Sequence, residues 1–375
     1  MLIGIDASRV TAAERTGTEN YSLYLIRALL RLGQQHNFRL YFREPPPAAL
    51  FPPNAHVEWR VIPFPRLWTH LRLAWELLYH PVDVLFVPAH VLPLIHPRCA
   101  VVTVHDVGYR RYPQAHTRFS YWYLDWSTGF SARHARRILV DSQATQEDLV
   151  AYYGISRDKI VVAYPAGIEG LAPIRDPQTL QVARERYGTG RCYFLYVGSL
   201  HPRKNLETLI AAFGRLIRER ALSPDVRLVL AGRPGWLYEG ILAAANSPSL
   251  AGRVILPGYI PPEDLSALLS GALAFVYPSL YEGFGLPILE AMACDTPVIC
   301  SRAAALPEVA GDAALLVDPH DVDALAFALR RMHDDPALRE ELIRRGRVRC
   351  QVFTWTNCAR TVLEVLEEVG ASKRG

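Results

Sequence analysis

The residues best suited to chemistry lie in one stretch, Pro278 to Ala293, which combines two glycines with two carboxylates. It directly follows Leu273–Tyr277, an apolar run typical of a buried strand. Gly283 and Gly285 let the backbone approach a ligand closely. A helix is predicted from near Pro287, and the free amides of its first turn point at an anion. A strand, a glycine loop and a helix start in this order predict a site for a diphosphate or a sugar hydroxyl.

Two carboxylates, Glu282 and Glu290, accompany this loop, one within it and one about a turn into the predicted helix. A carboxylate beside an anion site does not bind phosphate, but it accepts hydrogen bonds from sugar or ribose hydroxyls. The alternative is that both are solvated acids favoured by the helix dipole. Their pairing with the glycine loop favours the binding role.

A second loop, Val197 to Leu206, also lies between a predicted strand and a predicted helix and carries two adjacent cations. Cations are unfavourable at the positive end of a helix, so their presence indicates an anionic ligand. Arg203 can bind a phosphate with two parallel hydrogen bonds, and Lys204 can add a point charge. The alternative is a solvated basic corner.

In the first half of the chain, polar residues follow two predicted strands. His105 and Asp106 come after Ala100–Val104, and we expect His105 to hydrogen-bond a sugar hydroxyl while Asp106 orients the loop. A structural role for this histidine is the alternative. Asp141 and Ser142 follow the next strand, and capping of a helix by Ser142 is favoured over a ligand contact there.

The stretch from Glu282 to Glu290 resembles the E-x7-E signature of the family 4 (group 1) retaining glycosyltransferases, and Gly283 to Pro287 fits its inner sequence. The resemblance extends from Asp6 to about Trp355. It implies the GT-B fold, in which two Rossmann-like domains face each other across a cleft. It also implies sugar transfer from a nucleotide sugar with retention, by a front-face route in which the leaving phosphate helps to deprotonate the acceptor.

The resemblance also assigns roles to single residues. It implies that His105 and Glu282 are catalytic and contact the transferred sugar. Gly17, in the loop Thr16–Asn20, resembles the glycine loop that approaches the donor phosphates, and Ser199 stands where the family often has an arginine. The expected donor-binding residues are Gly17, Ser199, Arg203, Lys204, Gly283, Phe284, Gly285, Leu286 and Glu290.

Continuously apolar strands that alternate with helices predict parallel sheets covered on both faces, which defines the α/β class. The predicted strands are Leu2–Ile5, Phe38–Phe42, Val57–Ile62, Val84–Val87, Ala100–Val104, Ile138–Val140, Ile160–Ala163, Tyr193–Val197, Arg227–Leu230, Val254–Leu256, Leu273–Tyr277, Pro297–Cys300 and Ala314–Val317. The pattern pauses at Ala166–Pro177, the predicted linker. We therefore expect two doubly wound domains: 1–168 binds the acceptor, 178–352 binds the nucleotide sugar, and a helix within 353–375 crosses back to the first domain.

Composition excludes several classes of partner. The 375 residues are 50% hydrophobic with a net charge of +4, so neither disorder nor nucleic-acid binding is expected. The six cysteines have no metal-site spacing. The only D-x-D, Asp321 to Asp323, is best explained as a helix cap. We expect no metal and no cofactor, with the leaving diphosphate neutralised by Arg203, Lys204 and helix amides. The start of the chain does not resemble a signal peptide and no segment is expected to span a membrane, so a cytoplasmic location is expected.

Aromatic and basic residues are concentrated in Arg118–Arg137. Most of these aromatics are interpreted as core. The remainder are candidates for an acceptor groove or for a face that contacts the inner surface of the membrane peripherally, near anionic lipid.

The donor and the acceptor are not determined by these patterns. The segment Pro202 to Asn205 resembles bacterial mannosyltransferases of cell-surface polysaccharide assembly, including lipopolysaccharide, which favours GDP-mannose. UDP-glucose and other hexose donors remain open, and the acceptor is a saccharide or a lipid-linked saccharide. A GT-B sugar-nucleotide epimerase and a non-catalytic sugar-binding protein are the alternative functions.

Overall fold

The computed structural model describes residues 1–11, 17–51, 54–89, 91–115, 117–167, 169–250 and 252–372. The chain divides into two compact units, which we call the N-terminal unit (residues 1–166 with 353–375) and the C-terminal unit (residues 167–352). The division falls within the predicted linker. Residue 168, the end of the predicted first domain, lies outside the described residues.

The N-terminal unit is an alternation of strands and helices. In chain order these are β1 (Leu2–Asp6), α1 (Gly17–Leu32), β2 (Asn37–Phe42), β3 (Val57–Val61), α2 (Ala74–Tyr79), β4 (Val84–Val87), β5 (Ala100–Val104), α3 (Gly108–Arg111), α4 (Arg118–His134), β6 (Arg137–Val140), α5 (Gln143–Tyr153) and β7 (Ile160–Val162). A π-helical turn, Thr69–Leu73, leads directly into α2.

The seven strands form one parallel sheet in the order β3-β2-β1-β4-β5-β6-β7. Successive side chains of a strand point to opposite faces of a sheet. In β4, Val84 and Phe86 belong to one apolar cluster, whereas Leu85 and Val87 belong to another. Both faces are therefore buried, which is why the strands are continuously apolar.

The C-terminal unit repeats this plan. Its elements are α6 (Pro177–Tyr187), β8 (Cys192–Val197), α7 (Leu206–Arg218), β9 (Val226–Ala231), α8 (Glu239–Ala245), β10 (Val254–Gly258), α9 (Pro262–Ser270), β11 (Ala274–Tyr277), α10 (Leu286–Ala293), β12 (Val298–Ser301), α11 (Leu306–Ala310), β13 (Ala314–Val317), α12 (Val322–Asp334) and α13 (Pro336–Cys350). Its sheet is parallel, in the order β10-β9-β8-β11-β12-β13. All thirteen predicted strands are present, and β4, β5 and β13 have the predicted bounds.

The last helix, α14 (Trp355–Ala371), packs on the N-terminal unit. Its buried side chains join the apolar cluster that contains β1 and α1. Trp355 anchors its beginning: the indole lies edge-on to Tyr21 at 5.7 Å and stacks on Tyr24 at 5.9 Å. The segment after the C-terminal unit thus completes the core of the N-terminal unit.

Two further properties bear on function. All six cysteines are unpaired thiols, and five of them are buried. Of the helices in the described ranges, none combines the length and the apolar content needed to cross a lipid bilayer.

The packing of α14 predicts a stability effect. Leu366 is fully buried in the cluster with β1 and α1, so Leu366→Ala removes apolar contacts and leaves a cavity. We expect the free energy of unfolding to fall by about 2–5 kcal/mol. Urea unfolding followed by tryptophan fluorescence measures this, with the exposed Glu364→Ala of the same helix as control. Equal stability of the two variants would show that α14 is not part of the core.

Candidate active site

In the C-terminal unit, the two loops with candidate residues follow β8 and β11, which are neighbours in the sheet although they are far apart in the chain. The helical connections leave these two strands in opposite directions, which opens a crevice at the carboxyl edge of an α/β sheet. The loop after β8 is held close to the loop after β9. A Cβ atom on Gly232 would lie 1.8 Å from the carbonyl oxygen of Gly198, so glycine is required there.

Three predicted residues meet at this edge. Lys204 donates from Nζ to Oε1 of Glu282 at 2.5 Å and to the hydroxyl of Tyr277 at 2.9 Å. Arg203 donates to Oε2 of Glu282 at 3.3 Å and to the carbonyl oxygen of Tyr281. Lys204 and Glu282 are buried, whereas Arg203 is half-buried. The predicted phosphate loop and the predicted carboxylate therefore form one ion-paired cluster, which we call the Arg203–Lys204–Glu282 cluster.

The cluster fixes the charge of its carboxylate. Burial alone raises the pKa of Glu282, but the charges of Lys204 and Arg203 outweigh burial and lower it to about 2. Glu282 is therefore ionised at any physiological pH. Arg203 and Lys204 together bring two positive charges to this edge, which suit an anionic group. Each Glu282 oxygen keeps acceptor capacity beyond one hydrogen bond.

The glycine loop has the geometry expected from the sequence. Gly285 caps α10 with a φ of 112°, a conformation that favours glycine, and a Cβ there would lie 2.6 Å from Leu306. Pro287 lies in the first turn, as predicted. Gly283 and Phe284 are buried beside Glu282, whereas Leu286 is partly exposed and would lie 2.9 Å from a Cβ on Gly167.

Glu290 differs from Glu282 in its surroundings. It lies one turn into α10, is partly buried, and forms no hydrogen bond or ion pair with any residue that the structure describes. Desolvation accordingly raises the pKa of the Glu290 carboxyl to about 7. A carboxylate kept partly out of water without a protein partner is a candidate acceptor for ligand hydroxyls.

The other two donor-binding candidates are less constrained. Ser199 is exposed, and its carbonyl oxygen accepts a hydrogen bond from the hydroxyl of Tyr196 at 2.9 Å. Gly17 is the exposed first residue of α1, with open space where a Cβ would be. The predicted loop Thr16–Asn20 is therefore wrong for residues 17–20, which are helical. Residues 12–16, which include Thr16, lie outside the described residues. Both roles stay predictions.

In the N-terminal unit, β5 and β6 are neighbours, so the residues after them meet. Nδ1 of His105 hydrogen-bonds Oδ2 of Asp141 at 2.8 Å, and Nε2 hydrogen-bonds the carbonyl oxygen of Pro88, after β4, at 3.1 Å. Both ring nitrogens face acceptors, which favours the imidazolium. Burial lowers the pKa of His105, but Asp141 raises it further, and the net shift is upward.

Sequence reasoning missed Asp141 as the partner of His105. Asp106, which was expected to orient the loop, accepts a hydrogen bond from the backbone N–H of Gly108 at 2.8 Å. Ser142 caps α5, as predicted, by accepting from the backbone N–H of Thr145. The signal for Asp141 was its place after the strand that follows β5. The order of strands in the folded sheet, which the sequence pattern does not give, decides whether that strand lies beside β5.

In the part of the chain that the structure describes, no group of three His, Cys, Asp or Glu side chains could hold a metal ion. Asp321, in the D-x-D sequence, accepts hydrogen bonds from the backbone N–H groups of Asp323 and Ala324. The interpretation of Asp321 as a helix cap is therefore confirmed.

The interpretation of the aromatics in 118–137 as mostly core is wrong. None of the six is fully buried: Phe119, Trp122 and Trp126 are exposed, and Tyr121, Tyr123 and Phe130 are partly exposed. The buried positions of α4 are instead Ser127, Thr128, Gly129, Ser131 and Ala132. Small residues there allow close packing on the sheet. Phe119, Trp122 and Trp126 lie on the exposed side, whereas Tyr121 and Phe130 pack partly against the core.

Comparison with known proteins identifies the family. A model described as glycosyl transferases group 1 matches residues 179–349, and a model of glycosyltransferase family 4 matches residues 15–166. The O-antigen chain mannosyltransferase B of Escherichia coli is 35% identical over 293 residues, 78% of this chain and 76% of that protein. The chain belongs to the group 1, family 4 glycosyltransferases, as the motif resemblance predicts.

Solved structures agree on the fold. Sucrose-phosphate synthase from Thermosynechococcus elongatus has a TM-score of 0.76 at 23% identity over 99% of each chain. Anabaena Alr3699/HepE in complex with UDP-glucose has a TM-score of 0.73 at 17% identity over 98% of this chain and 99% of that one. The predicted GT-B fold, with two Rossmann-like parallel-sheet domains, is confirmed.

The raised pKa of Glu290 predicts a pH-dependent stability. Between pH 4.5 and about 7 the native state holds a proton at Glu290 that the unfolded chain releases, so stability falls as pH rises through this window. Glu290→Gln removes this loss, and we expect it to raise the free energy of unfolding at pH 8 by about 1–3 kcal/mol. At pH 5 the gain should be much smaller.

Urea unfolding of both proteins at pH 5 and pH 8 tests this, with the exposed Glu340→Gln of the same unit as control. A gain that is the same at both pH values would mean that Glu290 is not desolvated in the native state.

Proposed function

We propose that this glycosyltransferase transfers a hexose from a nucleotide sugar to a saccharide or lipid-linked acceptor in the synthesis of a cell-surface polysaccharide. The observation that carries the proposal is the Arg203–Lys204–Glu282 cluster at the carboxyl edge of β8 and β11. It combines two cations, suited to a diphosphate, with an ionised carboxylate, suited to hydroxyls. A nucleotide sugar presents both groups a few bonds apart.

We infer that the donor is GDP-mannose. The support is the relative from Escherichia coli, whose name describes an O-antigen chain mannosyltransferase, together with the sequence Pro202 to Asn205. UDP-glucose is the competing donor, because the Anabaena structure with the same fold binds it. The cluster itself suits the diphosphate of either donor.

The proposed reaction proceeds with retention and without a metal ion. The bond between the anomeric carbon and the diphosphate oxygen breaks while the acceptor oxygen bonds to the same face of that carbon. The proton of the acceptor hydroxyl passes to the leaving phosphate. Arg203 and Lys204, together with the amides at the start of α10, stabilise the charge that develops on the diphosphate.

Three further residues complete the proposed division of labour. Glu282 orients both cations and accepts hydroxyls of the transferred sugar. His105 stays held by Asp141 through Nδ1, and its Nε2 exchanges the carbonyl oxygen of Pro88 for a sugar hydroxyl. Glu290 accepts from the ribose or the sugar. Gly17, Ser199 and the loop Gly283–Leu286 approach the donor with their backbones. The reaction requires no cofactor, and the cytoplasmic location stays a prediction.

The reaction is tested by incubating the chain with GDP-mannose or UDP-glucose, with and without saccharide acceptors. We expect a new mannoside that keeps the anomeric configuration of the donor, and unchanged activity in excess EDTA. A free sugar isomer formed without acceptor would identify an epimerase instead. Loss of activity on chelation, with rescue by magnesium or manganese, would overturn metal independence.

The roles of the residues are tested by separating nucleotide binding from turnover. His105→Ala should lower turnover while leaving the affinity for the nucleoside diphosphate nearly unchanged. Arg203→Gln and Lys204→Met should each weaken that affinity about tenfold or more, the loss of a charged hydrogen bond. Calorimetric titration beside a rate assay measures both.

The exposed Arg344→Gln of the C-terminal unit is the matched control for the loss of a cation. Because Lys204→Met leaves Glu282 buried without its closest partner, its melting temperature must be measured too. Arg203, which is half-buried, provides the less disruptive variant. Loss of nucleotide affinity in His105→Ala as large as in Arg203→Gln contradicts the assignment.

A further inference from the structure

The N-terminal unit exposes large apolar side chains on two adjacent helical segments. On the segment 69–79, Leu71, Trp75 and Leu78 are 51%, 60% and 58% exposed. On α4, Phe119, Trp122 and Trp126 are 76%, 60% and 39% exposed and lie three and four residues apart, on one side of the helix. We call these six side chains the aromatic face.

Ring contacts connect the two halves of this face. Trp126 stacks on Trp122 with ring centroids 6.3 Å apart, and it also contacts His70, at the start of the other segment, at 6.2 Å. Beside this contact, Phe64, Leu71, Arg72 and Trp75 line an open pocket of about 310 Å³. The aromatic face is therefore one continuous surface.

In the segment 69–79, Leu73, Ala74 and Leu77 are buried, so this segment is apolar on its inner side as well as on its exposed side, unlike a helix that faces water. In α2, Glu76 is buried while its neighbour Trp75 is exposed. Glu76 is held inside by ion pairs with Arg72 at 3.1 Å and His80 at 3.0 Å. In α4, Ser127 and Ser131 are buried while Trp122 is exposed. The exposed apolar side chains of both segments indicate that their outer side meets an apolar medium.

The charges around the aromatic face are of one sign. Arg66, Arg118, Arg133 and Arg136 are exposed in the segments 61–80 and 117–137. The acids of these two segments are Glu76 and Asp125, and both are neutralised by arginines: Asp125 pairs with Arg110 at 2.6 Å. Exposed tryptophans bordered by exposed arginines match the interfacial layer of a bilayer with anionic headgroups.

We propose that the aromatic face docks the N-terminal unit on an anionic lipid bilayer. The tryptophan rings lie at the headgroup level, the leucine and phenylalanine side chains enter the acyl boundary, and the arginines contact lipid phosphates. This inference goes beyond the proposed reaction and does not depend on it, because vesicle binding is measured without donor or acceptor.

The test is flotation of the full chain with vesicles of phosphatidylcholine alone or mixed with phosphatidylglycerol. The wild type should bind the mixed vesicles, and Trp75→Ser/Trp122→Ser should bind them about tenfold or more weakly, because two large rings no longer leave water. Phe327→Ser is the matched control, since Phe327 is 64% exposed in α12 of the C-terminal unit. It should bind like the wild type.

Two further measurements make the result decisive. Arg118→Glu/Arg133→Glu should weaken binding to mixed vesicles at low salt, and brominated lipids should quench wild-type tryptophan fluorescence. Unchanged melting temperatures show that the variants are folded. Failure of the wild type to bind, or equal binding by Trp75→Ser/Trp122→Ser, overturns the proposal. So does a dimer in light scattering that this double variant dissociates, because a second copy would then cover the face.

Discussion

Each sheet of this protein is ordered so that its first strand lies inside the sheet, with a neighbour on either side that comes later in the chain. In the C-terminal unit the first strand, β8, lies between β9 and β11; in the N-terminal unit β1 lies between β2 and β4. The connections on the two sides run in opposite directions, so the loops after the central strands separate and leave room for a ligand. The candidates after β8 and β11 depend on this constraint, whereas His105 and Asp141 follow β5 and β6, further along the N-terminal sheet.

The Arg203–Lys204–Glu282 cluster is tolerated inside the C-terminal unit because its charged groups have partners. A buried carboxylate or ammonium alone is strongly unfavourable, and a buried pair is acceptable only when hydrogen bonds satisfy both partners. Lys204 has the carboxylate of Glu282 and the hydroxyl of Tyr277, and its ammonium lies 5.1 Å from the Tyr277 ring centre. Among the described residues the Glu290 carboxylate has no such partner, and desolvation raises its pKa to about 7. Two acids eight residues apart thus have opposite electrostatic surroundings.

The sequence was sufficient for the strands and for the loops that carry the candidates, because strands buried on both faces must be apolar along their whole length. It was not sufficient for the pairings. Lys204 and Glu282 are 78 residues apart, and His105 and Asp141 are 36 apart, so their contacts depend on which strands are neighbours. The prediction that most aromatic residues of α4 belong to the core was also wrong, because large aromatic side chains are buried in most proteins but not at every position. The small residues on the other face of α4 decide which side packs on the sheet.

The polar groups that follow the strands differ between the two units in how their charges are set. In the C-terminal unit, Lys204 pairs with a carboxylate that stays ionised, since the pKa of Glu282 lies far below neutrality. In the N-terminal unit, burial raises the pKa of Asp141, and Asp141 in turn raises the pKa of His105 from its ordinary value of 6.5. The Asp141 carboxylate therefore favours the charged form of the His105 ring. A fixed charge suits a diphosphate, which is ionised throughout, whereas a group that can give or keep a proton suits a neutral hydroxyl. The structure assigns these two kinds of group to different units of the chain.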